Sequence, residues 1–208
     1  MRRIPLDDKK QVFCLLEARE AMKAVIRTCV YMINNDVKPN HELYYPLTTA
    51  IYVVYSRPFM ANYGLGRLDF LRIPDEYIAL HEEILTYRNK VFAHKDVNRD
   101  VKNDYHETEW DLHAVFFTRK GSVIYTQVSE LPPPYENVRR IHDLARVLLE
   151  KVMYHSQKLN KKHEKALPSP DGTYKYLLDD GAREDFEKVD DIELPRGSFS
   201  SELPRITT

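Results

Sequence analysis

The residues best suited to chemistry lie in one run, Tyr87-Arg88-Asn89-Lys90-Val91-Phe92-Ala93-His94-Lys95. An imidazole near its ordinary pKa of about 6.5 takes or gives a proton at neutral pH. A guanidinium carries a rigid fork of donors that grips a carboxylate or a phosphate through two parallel hydrogen bonds. Arg88 and His94 are therefore equipped to hold an anion and move a proton beside it. At 100° per residue, Tyr77, His81, Ile84, Arg88, Val91 and Lys95 fall on one stripe of a helix, flanked by Leu85 and Phe92. Arg88 thus interrupts a largely apolar face, and desolvating an unpartnered guanidinium is costly. Two readings follow: a carboxylate meets Arg88 inside the fold, or this face opens onto a cleft that admits an anion. His94 lies six residues on, about 9 Å along the axis and about 120° around it. On a straight helix the pair diverges. It converges if the helix loosens at its end, or if a second copy of the chain crosses on a two-fold axis, which favours a composite site at a dimer interface.

The motif Arg88-Asn89 through His94 resembles that of the HEPN superfamily (higher eukaryotes and prokaryotes nucleotide-binding domains). These are small helical bundles whose ribonuclease members carry Arg, four to six residues, then His, often with a polar residue directly after the Arg. The chain looks most like the abortive-infection-type HEPN proteins of prokaryotes, in which a run like RNKVFAHKD ends a helix. The resemblance implies metal-independent cleavage of single-stranded RNA, with the substrate 2′-OH as nucleophile, a 2′,3′-cyclic phosphate as product and two facing copies forming the site. Arg88, Asn89 and His94 would then be catalytic: His94 handles the proton, Arg88 binds the phosphate and its developing charge, and Asn89 orients either. Tyr87, Lys90, Lys95, His81 and Arg57 are the candidate RNA contacts. The resemblance also implies a homodimer, an antitoxin or other regulatory protein as a further partner, and a role as a toxin or in phage defence. The competing reading is a non-catalytic helical interaction or nucleotide-binding module, with Arg88 and His94 in a structural or interface role.

The elements that must position these residues read as mainly α. The 208 residues include only six Gly against fourteen Tyr, and 43% are hydrophobic, enough for a core and for a lean toward helices. Val12, Leu15, Met22, Val25, Cys29 and Met32 recur at spacings of three and four, which predicts a long amphipathic helix over 9–34, stopped by Asn34-Asn35-Asp36 and Pro39. A second apolar run, 43–54, is expected to be broken at Pro46. Pro58 opens a short helix, and Pro74-Asp75-Glu76 opens a third that runs to about His94. Residues 112–118 and 123–128 read as a β-hairpin. Pro132-Pro133-Pro134 leads into a fourth helix of about thirty residues, with a seam of Val138, Ile141, Ala145, Leu148, Val152, His155 and Leu159. The expected architecture is a HEPN-like bundle of about four principal helices over residues 1–167 with a β-hairpin insertion, followed by an extended acidic, loosely structured tail over 168–208.

Charge sharpens that division. Lys and Arg number 31 against 32 Asp and Glu, which excludes a bulk polycation. The tail carries ten acidic and five basic residues, so a net of −1 divides into +4 on the body and −5 on the tail. The second half of the fourth helix, with Lys158, Lys161, Lys162 and Lys165, is basic enough to attract phosphates. The tail either stays solvated or docks on the basic surface and masks it. Cys14 and Cys29 lie about 22 Å apart on one helix, too far for a disulfide, and with no apolar leader they suit a reducing cytoplasm. No long apolar run suggests a membrane span. Asp96-Val97-Asn98-Arg99-Asp100 with Asp104 and Glu107 superficially resembles a calcium loop, but Val101 stands where a sharp turn wants Gly. No zinc spacing or phosphate-cradling glycine loop is present, so no metal and no cofactor are expected.

Overall fold

The computed structural model describes residues 4–60, 67–89, 113–120, 123–130, 133–168, 174–176, 186–189 and 204–206. Within them the fold is mainly helical, built on α1 (Leu6–Asn34), α2 (Tyr44–Ser56), α3 (Ile78–Tyr87) and α4 (Glu136–His163). The strands β1 (His113–Lys120) and β2 (Val123–Glu130) form one antiparallel pair, and β3 (Tyr174–Tyr176) and β4 (Phe186–Lys188) form another. No helix among the described residues is long and apolar enough to cross a membrane.

The sequence explains where the long helices start and stop. Asp7 and Asp8 stand in the first turn of α1, where they oppose the partial positive charge of the free N–H groups. At the other end Asp36 takes a left-handed conformation with φ 51°. The Asp36 and Val37 amides turn back to the carbonyls of Ile33 and Met32. This closure satisfies the last carbonyls and buries Val37. Pro46 does not break α2. It sits in the first turn, where an amide has no helical partner to lose, and the helix runs unbroken from Tyr44. Pro58 lies in a single 3-10 turn, Arg57–Phe59, that extends α2.

The core lies where α1 packs along α4, with α2 across α1 and α3 against α2. Cys14, Met22, Ile26, Cys29, Ile51, Tyr52, Ile84, Ile141, Leu148 and Val152 share one buried cluster. The α4 seam is as expected except at His155, which lies at the rim and meets Phe70 edge-on at 5.6 Å. The β1–β2 pair is longer than its apolar residues suggest, with Lys120 opposite Val123 and His113 opposite Glu130. Arg119 and Lys120 thus belong to the strand rather than to the turn.

The acidic C-terminal stretch contributes structure of its own. Tyr176 stacks on Phe13 of α1 at 5.8 Å and on Phe186 at 4.8 Å, and the Lys9 ammonium lies 6.0 Å from the Tyr176 ring centre. Asn34 donates to the Arg205 carbonyl at 3.0 Å, and Ile206 packs on the core. These contacts hold the stretch against both ends of α1. Nearby, Asp8 accepts from Lys162 Nζ and makes a hydrogen bond with His163 Nε2, each 2.7 Å, tying the start of α1 to the end of α4.

Candidate functional site

The site is built on the C-terminal end of α3. That element begins as a 3-10 turn, Asp75–Tyr77, with Pro74 ahead of it and two acids in the turn, and passes into α-helix at Ile78. Leu80, Ile84 and Tyr87 are its buried residues. On a helical wheel they span about 60°, with His81 and Leu85 to one side and Arg88 between those two and Ile84. Arg88 therefore stands at the edge of the buried stripe, not in the middle of it, and remains half-buried. At Arg88 and Asn89 the winding widens to a π-type turn, a local loosening that re-aims side chains and recurs at functional positions.

The Arg88 guanidinium donates from one terminal nitrogen to Asn89 Oδ1 at 2.9 Å. Among the described residues no carboxylate pairs with it. Of the two readings open from the sequence, the buried ion pair is thus without a partner in the described structure, and Arg88 retains a charge held by a neutral amide. Asn89 fixes the direction of the guanidinium without neutralising it.

On the same side of α3, His81 and Leu85 face a cleft of about 280 Å³ walled by Phe59, Leu68, Leu71 and Ile73, with Arg67 and Asp69 also lining it. The His81 Nδ1 shares a 2.8 Å hydrogen bond with the Tyr55 hydroxyl, and its ring meets Phe59 edge-on at 4.7 Å. Burial lowers the pKa of His81 below its ordinary 6.5, only partly offset by the charge of Glu82, so the ring is neutral at pH 7. Burial drives the Tyr55 phenol far above its usual range, so it remains protonated.

On the opposite side of α3 a polar link joins it to α4. Asn137 of α4, only 4% exposed, donates to Glu83 Oε1 at 2.7 Å. Burial, followed by the Glu83 charge, drives the Tyr52 phenol of α2 upward. Tyr87 packs edge-on against Tyr52 at 5.5 Å. Tyr44 adds a further tie from α2 by donating to the Pro133 carbonyl at the entry to α4. These contacts clamp α3 one turn before Arg88.

The candidate residues therefore divide. Arg88 and Asn89 are in contact, and His81 shares their side of α3. Tyr87, at 7% exposure, belongs to the interior; its role is to pack α3, and its ring does not offer a stacking surface to RNA. Arg57 is exposed at the end of α2, two residues before the Phe59 that touches His81. His94, Lys90 and Lys95 lie outside the described residues, as does the Asp96–Glu107 loop. The described residues hold no cluster of three or more His, Cys, Asp or Glu placed to bind a metal. Sequence reasoning missed Tyr55 and Phe59 as partners of His81, and Glu83 with Asn137 as the clamp. The available signal was weak: Tyr55 and Phe59 lie four apart on one helical face, but nothing in the spacing pairs them with residue 81.

Comparisons with protein families, with curated proteins and with solved structures find no significant match to this chain.

Proposed function

We propose that this chain is a HEPN-type endoribonuclease that cleaves single-stranded RNA without a metal, as a homodimer in which two copies complete one site. The observation that carries the reading is Arg88, a half-buried guanidinium whose partner among the described residues is the neutral Asn89 amide. A charge retained at the edge of the buried face of α3, and aimed by a neutral oxygen, suits a phosphate that arrives and leaves. RNA supplies the remaining reactant, since the 2′-OH is already adjacent to the scissile phosphorus.

In this reaction the 2′-oxygen attacks phosphorus while its proton passes to the imidazole of one His94. The bond from phosphorus to the 5′-oxygen breaks, and that oxygen takes a proton from the imidazolium of the second copy's His94. A 2′,3′-cyclic phosphate and a 5′-hydroxyl result. Arg88 holds the non-bridging oxygens as their charge grows, and Asn89 keeps the guanidinium in register. Arg57, Lys90 and Lys95 would add positive charge along the strand, with salt-dependent affinity. The cellular setting consistent with this chemistry is a toxin or phage-defence effector in the cytoplasm, restrained by a regulatory protein.

The test is cleavage of single-stranded RNA in EDTA by the parent, Arg88→Ala and His94→Ala. The His94 variant should lose roughly 10²–10⁴-fold in rate, and the Arg88 variant at least about 10²-fold. Unchanged cleavage by the His94 variant would overturn the mechanism. No cleavage by the parent would favour the helical interaction or nucleotide-binding module instead.

A further inference from the structure

Resting on the reading of Arg88 as a phosphate site, we infer that the cleft beside α3 is a nucleobase pocket. It would receive one splayed-out base of the RNA whose phosphate Arg88 holds. Its volume of about 280 Å³ lies at the lower limit of ligand sites, suited to a single ring system rather than a large ligand. The walls are largely apolar, with Phe59 the one apolar side chain that offers a planar face. Phe59, Ile73 and Leu85 line it with His81, and Leu68 and Leu71, both nearly inaccessible to solvent, complete the apolar lining.

The polar groups are few, as in a site that orients a ring. His81 is anchored through Nδ1 by Tyr55, which leaves its other ring nitrogen free of any described partner. Arg67 and Asp69, paired at 2.5 Å, bring both a donor and an acceptor to the same cleft. A base edge presents both donors and acceptors, so this set fits it better than an aliphatic or wholly apolar ligand.

Spacing ties the cleft to the anion site. His81 and Arg88 lie on the same side of α3, seven residues and about 10 Å apart along its axis. Both side chains lean toward the helix N-terminus, and a splayed nucleotide spans a distance of that order between base and phosphate.

The experiment is calorimetric titration of the full chain with AMP, UMP, ribose 5-phosphate and inorganic phosphate. AMP or UMP should bind about tenfold more tightly than ribose 5-phosphate, the gain expected from stacking one base. Leu85→Trp, which fills the cleft from α3, should abolish that difference while leaving phosphate affinity intact. If that variant fails to fold, Ile73→Trp fills the cleft from the facing segment. Equal affinity for the nucleotides and ribose 5-phosphate, or an undiminished difference in a folded cleft-filling variant, overturns the pocket. Failure of the underlying reading is seen separately, as phosphate affinity unchanged in Arg88→Ala.

Discussion

Removing the Asn137 side chain tests how firmly α3 is held in place for Arg88. Asn137 is almost fully buried, and its amide donates to Glu83 at 2.7 Å. A hydrogen bond to a charged group contributes about 1.5–3 kcal/mol. Asn137→Ala should therefore lower stability by roughly 1.5–3 kcal/mol, a fall in melting temperature of roughly 3–12 °C for a chain of this size. The loss should depend on pH, and its sign follows from Glu83. Burial raises the Glu83 pKa above its ordinary 4.5, against the lowering effects of the Asn137 hydrogen bond and the Arg140 charge. The cost of ionised Glu83 is therefore absent below pH 4.5 and complete once pH exceeds its folded pKa. Without Asn137 the folded pKa rises further, so the variant should suffer more at pH 7.5 than at pH 4.5. Urea unfolding of parent and variant at both pH values measures this. In a Glu83→Gln background, Asn137→Ala should lose its pH dependence and cost less. A loss under about 1 kcal/mol at both pH values would refute the clamp.

Three further outcomes follow from other parts of the fold. Burial alone would raise Asp8, but hydrogen bonds and charges from Lys162 and His163 outweigh it and hold the carboxyl below its ordinary 3.8. Its contribution is present above pH 3.8 and lost as pH falls through the folded value, so Asp8→Asn should lower stability by about 1 kcal/mol at pH 6 and by progressively less below pH 3.8, as read by urea midpoints. Tyr176→Ala removes the ring stacked between Phe13 and Phe186 and should destabilise the chain by about 1–3 kcal/mol. If the acidic stretch masks the basic end of α4, this variant, or removal of residues 168–208, should also raise affinity for single-stranded RNA at low salt. Cys14 and Cys29 are both buried, and burial raises both thiols, Cys29 far beyond the usual range. Neither should react with a thiol reagent at pH 8 until the chain is unfolded; rapid titration of either in native protein would contradict the packing of α1.

Helical periodicity was legible in the sequence wherever a buried face repeats for several turns. The stripes of α1 and α4, the stop at Asn34-Asn35-Asp36 and the start at Pro74 all follow from local rules of spacing and capping. The reading of Pro46 as a break failed because proline blocks only a helix already supplying a carbonyl four residues earlier, and α2 begins too late for that. The three-residue strands at 174–176 and 186–188 carry too few residues for a period, so only their packing on Phe13 and Lys9 reveals them.

What the sequence determined by itself was the set of reactive groups on α3, since the spacing of Arg88 from His81 and Leu85 is a property of helix geometry. The tertiary structure decided what surrounds them. It set Arg88 beside Asn89 rather than a carboxylate, drew Tyr55 and Phe59 onto His81, and sent Tyr87 inward against Tyr52. Those outcomes depend on how α2, α4 and the 67–73 segment pack against α3. Periodicity marks which face of a helix is buried; which side chains meet it there is settled only when the helices dock, because contacts between distant segments leave no spacing in the chain.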